Sequence, residues 1–258
     1  MKRTRINPDL SLFPEALHPF FAGASVYDSS SSPEARVYFI DKDGGYYLKA
    51  ARAGALSREA ELARYFRSKS LAPEVLAYIS AERDFMLTAR VPGEDMTHAQ
   101  YLAEPKRLCD KLAGLLRALH EEDFSACPAH DHTARYLATA EANFNKGAYD
   151  LSFAPEFSAA NEAYAFLKEN AHLLSNEVLL HGDYCLPNVM LDDWRFAGFI
   201  DVGNGGVGDR HVDLYWGAWT LAFNLGTDAL RARFFDAYGR DKVDEEKLRI
   251  ISAAEVFG

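Results

Sequence analysis

The sequence predicts an α+β fold with a β-rich N-terminal lobe and a mainly helical C-terminal lobe. Within the first 90 residues, β-branched and aromatic residues occur in short runs between turn residues, which is typical of strands. From about residue 105, apolar residues recur at a spacing of three or four, which is typical of helices. Val91-Pro92-Gly93 lies between the two patterns. We therefore expect a first domain of residues 1–90 and a second of residues 91–258.

The first domain is predicted to contain a hairpin and one helix among its strands. Residues 37–40 and 46–49 are rich in aromatic and branched residues, and the turn residues 41–45 join them. Ser57 is expected to cap a helix that ends near Lys69. Further strands are predicted at residues 20–27, 75–79 and 85–88.

The second domain is predicted to contain several helices around a few short strands. Its strongest helical pattern is the leucine repeat Leu108, Leu112, Leu115, Leu116 and Leu119, which predicts a helix over residues 105–120. Other helices are expected at residues 133–144, 158–170 and within 210–256, and strands at 178–180, 189–191 and 196–200.

Composition excludes some classes of function. The chain has 28 Lys and Arg against 38 Asp and Glu, a formal net charge of −10. This charge disfavours a nucleic-acid partner, because that affinity comes from Lys and Arg. The most apolar stretch, residues 214–225, is too short to span a bilayer, so no membrane partner is expected. The three cysteines form no CxxC pair, and the protein is expected to be cytoplasmic.

One stretch carries residues suited to phosphoryl transfer. The chain reads His181-Gly182-Asp183, then Asn188, and then Asp201 just past the next predicted hairpin. This spacing allows one carboxylate to reach a substrate hydroxyl and an Asn/Asp pair to hold magnesium. The protein-kinase pattern is similar, but it has arginine where this chain has Gly182.

A lysine and a glutamate upstream suit the same chemistry. Lys49 lies in a predicted strand and Glu59 in the helix that follows. An ion pair between them would direct the lysine toward nucleotide phosphates. The order of these residues along the chain strengthens the interpretation of the Asp183 stretch.

These motifs resemble those of the aminoglycoside phosphotransferase family, and most closely those of the aminoglycoside 3′-phosphotransferases. The resemblance implies a two-lobed, protein-kinase-like fold, with ATP or GTP and Mg²⁺ as cofactors. It implies that Asp183 engages the acceptor hydroxyl and that Asn188 and Asp201 hold magnesium. Lys49 would contact the α- and β-phosphates, with Glu59 as its partner.

The same resemblance extends to the nucleotide. Tyr47 matches an aromatic position that stacks on adenine, and Ser32 matches a serine in the loop over the phosphates. The linker that includes Thr88 and Arg90 matches the segment whose backbone binds the edge of the base. Asp213 resembles a helix carboxylate that braces the catalytic loop.

The acceptor side departs from the family pattern. Glu255 and Phe257 resemble the acidic and aromatic C-terminus of the family, but one extra glycine follows them. Asn204 stands where an arginine is usual. Asp150 and Glu156 lie in the variable segment that helps to line the acceptor pocket of the family.

The predicted function is transfer of the γ-phosphoryl group to a hydroxyl, the 3′-hydroxyl foremost, of an aminoglycoside antibiotic, which confers resistance. The alternatives are a related kinase for choline, an amino sugar or a macrolide, or a nucleotide-binding module without activity. Residues 1–90 carry 13 basic and 11 acidic side chains, a net of +2, whereas residues 91–258 carry 15 and 27, a net of −12. The acidity suits a polycationic acceptor. We expect a monomer or a weak dimer.

Overall fold

The chain folds into two compact units in the computed structural model, which describes residues 3–30 and 35–258. The first unit comprises Met1–Gly93 and Ala197–Gly203, and the second comprises Glu94–Phe196 and Asn204–Gly258. The boundary predicted after residue 90 therefore falls after Gly93. The sequence patterns gave no sign that the segment with Asp201 belongs to the first unit.

The first unit is built on a six-stranded antiparallel sheet with the strand order β1-β2-β3-β4-β6-β5. The strands are β1 (Thr4–Ile6), β2 (Ser25–Asp28), β3 (Arg36–Asp41), β4 (Tyr46–Arg52), β5 (Val75–Ser80) and β6 (Arg83–Ala89). The strands predicted in this region from residue 37 onward are confirmed.

The central hairpin positions Lys49. Strands β3 and β4 pair antiparallel, with Val37 opposite Lys49. Leu48 is fully buried in the core on one face of the sheet, and Lys49 is half-buried. Successive side chains of a strand point to opposite faces, so Lys49 lies on the face away from that core.

The predicted strand over residues 20–27 is wrong in its first half. Residues His18–Phe21 form a short helix, α1, and only β2 (Ser25–Asp28) is extended. Leu17 and Phe21 enter one core cluster at a spacing of four, the helical period. Gly23 then turns the chain with a φ of +75°. Aromatic content alone suggested a strand.

Helix α2 (Ser57–Ser68) carries Glu59 in its first turn. Ser57 was expected to cap this helix, but Leu56 occupies the capping position and Ser57 is the first helical residue. The turn before the helix is held by buried Asp84, which accepts hydrogen bonds from the backbone N–H groups of Gly54 (3.0 Å) and Leu56 (2.8 Å).

The second unit is mainly helical. Its helices are α3 (Ala99–Leu102), α4 (Pro105–His120), α5 (His132–Lys146), α6 (Ala160–Asn170), α7 (His211–Leu225), α8 (Arg231–Tyr238) and α9 (Glu245–Glu255). The leucine repeat predicted α4 with the observed bounds. No helix in residues 3–30 or 35–258 has the length and apolar character needed to cross a membrane.

Short strands flank the loops that carry the predicted site residues. β7 (Glu94–Asp95) pairs antiparallel with β9 (Val189–Asp192), and β10 (Arg195–Phe199) is the next strand along the chain. β8 (Val178–Leu180) pairs antiparallel with β11 (Gly206–Gly208). The loop that begins at His181 thus leaves a fully buried strand.

Candidate active site

Asp213 of α7 fastens the loop that follows β8. Its carboxylate accepts the backbone N–H groups of His181 (2.7 Å) and Gly182 (2.8 Å), and His120 Nε2 lies 3.2 Å from Oδ2. Burial disfavours the charge, but these hydrogen bonds, above all that from His120, outweigh it and lower the pKa of Asp213. The buried carboxylate therefore braces the loop, as the family resemblance implied.

Gly182 occupies a position that accepts no side chain. Its φ is +82°, and a Cβ built on it would lie 2.1 Å from the backbone oxygen of Asn204. A conformation in the left-handed region and a backbone this close both require glycine. This geometry explains why the arginine of the protein-kinase pattern is absent here.

Asp183 and Asn188 lie side by side in this loop. Asn188 Nδ2 donates to the backbone oxygen of Asp183 (3.0 Å) and to its Oδ2 (2.9 Å). Asp183 is half-buried, and Asn188 is buried in the short 3₁₀ turn Leu186–Asn188. Because Nδ2 is committed to Asp183, Oδ1 is the ligand atom that Asn188 can offer a cation.

Lys49, Glu59 and Asp201 form an ionic cluster in the first unit. Lys49 Nζ lies 2.8 Å from Glu59 Oε2 and 2.9 Å from Asp201 Oδ1. Burial alone would lower the pKa of Lys49, but the two carboxylates, Asp201 foremost, outweigh burial and raise it. The lysine is therefore held as an ammonium ion. The pairing of Lys49 with Glu59 that the sequence suggested is present.

Asp201 has an unusual backbone. Its φ is +59°, in the left-handed region that few residues other than glycine adopt. Its side chain is 54% exposed although it pairs with Lys49. Strained conformations of this kind cluster at functional sites, and the observed outlier supports a functional assignment for Asp201.

Tyr47 lies beside Lys49 on β4 and is already in contact with other side chains. Its ring centroid is 5.2 Å from that of Phe39, and its hydroxyl accepts a hydrogen bond from Arg3 Nη2 (2.7 Å). The guanidinium of Arg3 lies 3.7 Å over the Phe39 ring. The ring of Tyr47 is half-buried.

The other residues predicted to contact nucleotide lie near the end of β6. Thr88 pairs with Tyr47 across the β4–β6 ladder. Arg90 follows the strand, is exposed, and donates its backbone N–H to the oxygen of Gly45 (3.0 Å). Ser32 lies outside the described residues.

Glu255, at the end of α9, is a buried carboxylate with neutral donors. Its Oε1 accepts hydrogen bonds from the Tyr136 hydroxyl (2.8 Å) and from Trp216 Nε1 (2.9 Å). Burial, aided by the negative charge of Asp183, raises the pKa of Glu255 to about 7. Glu255 is therefore close enough to the Asp183 loop to interact with it electrostatically.

Phe257 lies in the hydrophobic core of the second unit. Its ring is 1% exposed and packs edge-on against Phe144 (5.6 Å) and Tyr164 (5.8 Å). Its backbone oxygen accepts a hydrogen bond from Asn143 Nδ2 (2.9 Å), and the exposed Gly258 follows. The ring was predicted to contact acceptor, but this burial gives it a packing role that anchors the C-terminal segment.

The other residues predicted to contact acceptor are exposed. Asp150 Oδ1 accepts the backbone N–H of Ser152 (2.9 Å), and Glu156 Oε1 accepts the hydroxyl of Ser252 (2.9 Å). Asn204 is also exposed, and its backbone oxygen lies close to Gly182 in the loop that begins at His181. Asp150 and Asn204 keep side chains at the surface of the second unit.

Tyr136, Trp216 and His120 complete the site, and sequence reasoning missed them. Each acts on a carboxylate that is distant along the chain: Tyr136 and Trp216 on Glu255, and His120 on Asp213. Helical periodicity marks them only as residues of α5, α7 and α4. No local spacing could have indicated these partners.

Among the described residues, Glu177, Asp209 and His211 also lie close enough together to suggest a metal site. However, Asp209 accepts hydrogen bonds from His211 Nδ1 (2.6 Å) and Lys247 Nζ (3.0 Å). His211 Nε2 in turn accepts the backbone N–H of Asp244 (2.9 Å). The ring nitrogens of His211 are thus both engaged, and the group is a structural network.

Comparison with known proteins places this geometry in context. The profile of the phosphotransferase enzyme family matches residues 29–251. The chain is 51% identical over 261 residues to a probable aminoglycoside 3′-phosphotransferase of Lactococcus lactis subsp. lactis (strain IL1403), with 100% of this chain and 99% of that protein covered.

Solved structures agree with the fold. A crystal structure of an aminoglycoside-3′-phosphotransferase of type VIII superimposes with a TM-score of 0.79 at 27% identity, covering 94% of this chain and 97% of that one. An aminoglycoside phosphotransferase from Streptomyces rimosus, in complex with ADP and streptomycin, gives a TM-score of 0.71 at 24% identity, covering 98% and 100%. At that identity the second likeness concerns the fold alone.

Proposed function

Since the chain belongs to the phosphotransferase enzyme family, we propose that it transfers the γ-phosphoryl group of ATP or GTP to the 3′-hydroxyl of an aminoglycoside and so confers resistance. One observation carries the proposal. A chain that is 51% identical over its full length to a probable aminoglycoside 3′-phosphotransferase retains both the Lys49–Glu59–Asp201 cluster and the Asp183–Asn188 pair.

Asp183 is the proposed catalytic residue. Its carboxylate, oriented by Asn188, would accept a hydrogen bond from the acceptor hydroxyl and align its oxygen for attack. In a loose transition state the hydroxyl keeps its proton until late, so Asp183 would take that proton near the end of transfer.

Lys49 is the proposed phosphate-binding residue. An ammonium group on a strand, held by carboxylates on either side, has its charge and direction fixed before nucleotide binds. On arrival of the nucleotide, the α- and β-phosphate oxygens would compete with Asp201 for the lysine, while Glu59, the more buried partner, would keep it in place. Tyr47 is proposed to stack on the base, and the backbone near Thr88 and Arg90 to bind its edge.

Asn188 and Asp201 have the chemistry of magnesium ligands. Mg²⁺ prefers hard oxygen donors, and an amide oxygen and a half-exposed carboxylate are donors of that kind. When bound, the ion would neutralise charge on the phosphates. Ser32, in the predicted phosphate loop, is proposed to add a hydroxyl donor there.

Acceptor recognition is assigned to acidic groups of the second unit. An aminoglycoside is a polycation, and Glu255, Asp150 and Glu156 belong to a region with a net charge of −12. Asn204 offers a neutral amide where the family usually has arginine, which avoids placing a positive charge near a cationic acceptor.

An acceptor panel tests this function. The purified protein is given Mg²⁺ with ATP or GTP, and nucleotide turnover is measured with kanamycin, its 3′-deoxy analogue, choline and a macrolide. We expect turnover with kanamycin and none with the 3′-deoxy analogue, and NMR of the product should locate the phosphate on the 3′-oxygen. Turnover with choline or macrolide but with no aminoglycoside would refute the proposal.

A further inference from the structure

Four strands of the first unit carry a cross-strand row of side chains, which we define as Tyr27, Phe39, Tyr47 and Thr88. Each member lies directly opposite the next in the antiparallel ladders. Directly opposite residues share one face of a sheet. Lys49 lies two residues after Tyr47 on β4, so the row is on the face that presents Lys49. The row therefore belongs to the face on which nucleotide is proposed to bind.

Phe39, in the middle of the row, is enclosed by its neighbours. Its ring is 3% exposed, and its centroid lies 5.2 Å from that of Tyr47 and 6.1 Å from that of Tyr27. A Cβ added to Gly45 would lie 2.9 Å from Phe39 Cε2 and 3.1 Å from Arg90 Cδ, so the ring and Arg90 both reach the turn between β3 and β4. Phe39 is thus a fixed platform beside the linker that is predicted to bind the edge of the base.

Arg3, which directly precedes β1, covers this platform and reaches Tyr47. The central carbon of its guanidinium lies 3.7 Å from the centroid of Phe39 and 5.9 Å from that of Tyr47. Its Nη2 donates to the Tyr47 hydroxyl at 2.7 Å. A planar guanidinium can stack on one ring and donate a hydrogen bond to the next at the same time. Arg3 therefore holds the hydroxyl end of Tyr47 from a position 44 residues earlier along the chain.

We propose that Arg3 is a positioning residue for the nucleotide: stacked on Phe39, it holds the ring of Tyr47 in the orientation that stacks on the base. This inference rests on the proposed function, in which Tyr47 contacts the base. A ring that is fixed before the nucleotide arrives need not be ordered on binding, so Arg3 increases nucleotide affinity. Because the effect concerns the base and not the transferred phosphoryl group, it leaves kcat unchanged.

Nucleotide binding in the absence of acceptor tests this assignment. In calorimetry with Mg²⁺ and the non-hydrolysable analogue AMP-PNP, Arg3→Ala should raise the Kd about two- to tenfold, the factor that corresponds to one side chain ordered on binding. Arg3→Lys should resemble Arg3→Ala, because lysine keeps the positive charge but loses the planar guanidinium. Tyr47→Phe keeps the ring but not its hydroxyl, so the double variant R3A/Y47F should bind no more weakly than R3A. In turnover, R3A should raise the KM for ATP by the same factor with kcat unchanged.

The matched control is Arg5→Ala, because Arg5 is an exposed arginine two residues further along the same segment. Its Kd for AMP-PNP should equal that of wild type. The proposal for Arg3 is overturned, while the function stands, if R3A binds AMP-PNP as tightly as wild type, if R3K restores the wild-type Kd, or if Y47F weakens R3A further. If wild type binds AMP-PNP but phosphorylates no aminoglycoside, the proposed acceptor fails and the Kd values still test Arg3. If wild type binds no nucleotide, the proposed function itself fails.

Discussion

At the scale of single residues, the hydrogen bonds of Asp183 determine whether its side chain can be removed without disturbing the loop that carries it. The carboxylate contacts the side chain of Asn188 (2.9 Å), whereas the loop itself is held by Asp213 through backbone groups. Removal of the Asp183 side chain should therefore leave the loop in place. The Lys49 ammonium group is held by Glu59 and Asp201.

We accordingly predict that Asp183→Ala lowers kcat by at least about 100-fold, since a positioned acid–base group contributes on that order. Nucleotide affinity, measured by calorimetry with a non-hydrolysable analogue, should stay within about twofold of wild type. Asp192→Ala is the control, because it removes an exposed carboxylate that pairs only with Arg195 among the contacts of its side chain described here. Equal loss of turnover and nucleotide affinity in D183A would contradict the assignment.

Glu255 gives a second prediction at this scale, concerning pH. Its pKa is about 7 in the folded protein against 4.5 in an unfolded chain, so the folded state binds the proton more tightly. The resulting stabilisation is complete below about pH 4.5 and is lost as the pH rises through about 7. Its size is on the order of 3 kcal/mol.

Glu255→Gln should abolish this loss of stability at high pH, because the amide does not ionise. Its oxygen can still accept the hydrogen bonds of Tyr136 and Trp216. We expect E255Q to have a higher Tm than wild type at pH 8.5, a much smaller difference at pH 5, and a raised KM for kanamycin. The control is Glu169→Gln, at an exposed position. A Tm difference that is the same at both pH values would show that the charge of Glu255 is not the cause.

At the scale of elements, local sequence predicted those parts whose structure depends on local contacts. The leucine repeat gave the bounds of α4 (Pro105–His120), because burial of one helical face needs only the periodicity of that segment. The first half of the segment 20–27 was misassigned because Phe21 packs against Phe13, which in turn contacts Phe85 of a distant strand in the same core. Periodicity within a short segment carries no information about such partners.

The candidate site also contains residues that local sequence predicted and residues whose environment it could not predict. Asp183, Asn188 and Asp201 could be proposed from their order and spacing along one stretch, and Lys49 with Glu59 from a strand followed by a helix. The environment of Glu255 could not, because Tyr136 lies 119 residues away along the chain. Likewise, Asp201 directly precedes the short 3₁₀ turn Val202–Asn204, but nothing in its sequence indicates the left-handed φ of +59°.

The catalytic loop as an element depends on Gly182. An alanine there must adopt a φ of +82° and place its Cβ against the backbone of Asn204. Gly147 is the matched control in the same unit, because it has a φ of +70° and its added Cβ would meet nothing within 4 Å. Both substitutions carry the cost of a left-handed alanine, roughly 1–2 kcal/mol, but only Gly182→Ala adds a collision.

We therefore predict that Gly182→Ala lowers kcat at least about tenfold and lowers the Tm more than Gly147→Ala does, since the loop must shift away from Asn204. Gly147→Ala should keep the kcat of wild type with a modest loss in Tm. Steady-state kinetics give the kcat of the two variants, and thermal unfolding gives their Tm. If G182A and G147A have the same kcat and the same Tm, the close approach of Asn204 does not constrain the loop.

At the scale of the whole molecule, charge is divided unevenly between the two parts of the sequence. Residues 1–90 carry a net charge of +2 and residues 91–258 a net charge of −12. Such a division suits a protein that takes an anionic nucleotide and a cationic acceptor as its two substrates. A surface with one sign of charge raises the association rate of an opposite charge by roughly 10- to 1000-fold, and salt suppresses this effect.

We predict that kcat/KM for kanamycin falls about tenfold or more as ionic strength rises from about 0.01 M to 0.5 M, because the screening length shrinks from about 30 Å to a few ångströms over this range. This decrease in kcat/KM should come from a rise in KM, with kcat at saturating acceptor nearly constant. An aminoglycoside with more amino groups should show a steeper dependence on salt than one with fewer, because each ammonium group adds to the attraction. Steady-state kinetics at a series of KCl concentrations, with nucleotide saturating throughout, measure how kcat/KM for each of the two aminoglycosides depends on salt. If the two salt dependences are equal or near zero, the acidic side chains of residues 91–258 serve only to keep the surface hydrated, and recognition of the acceptor depends on short-range contacts with the few groups around Glu255.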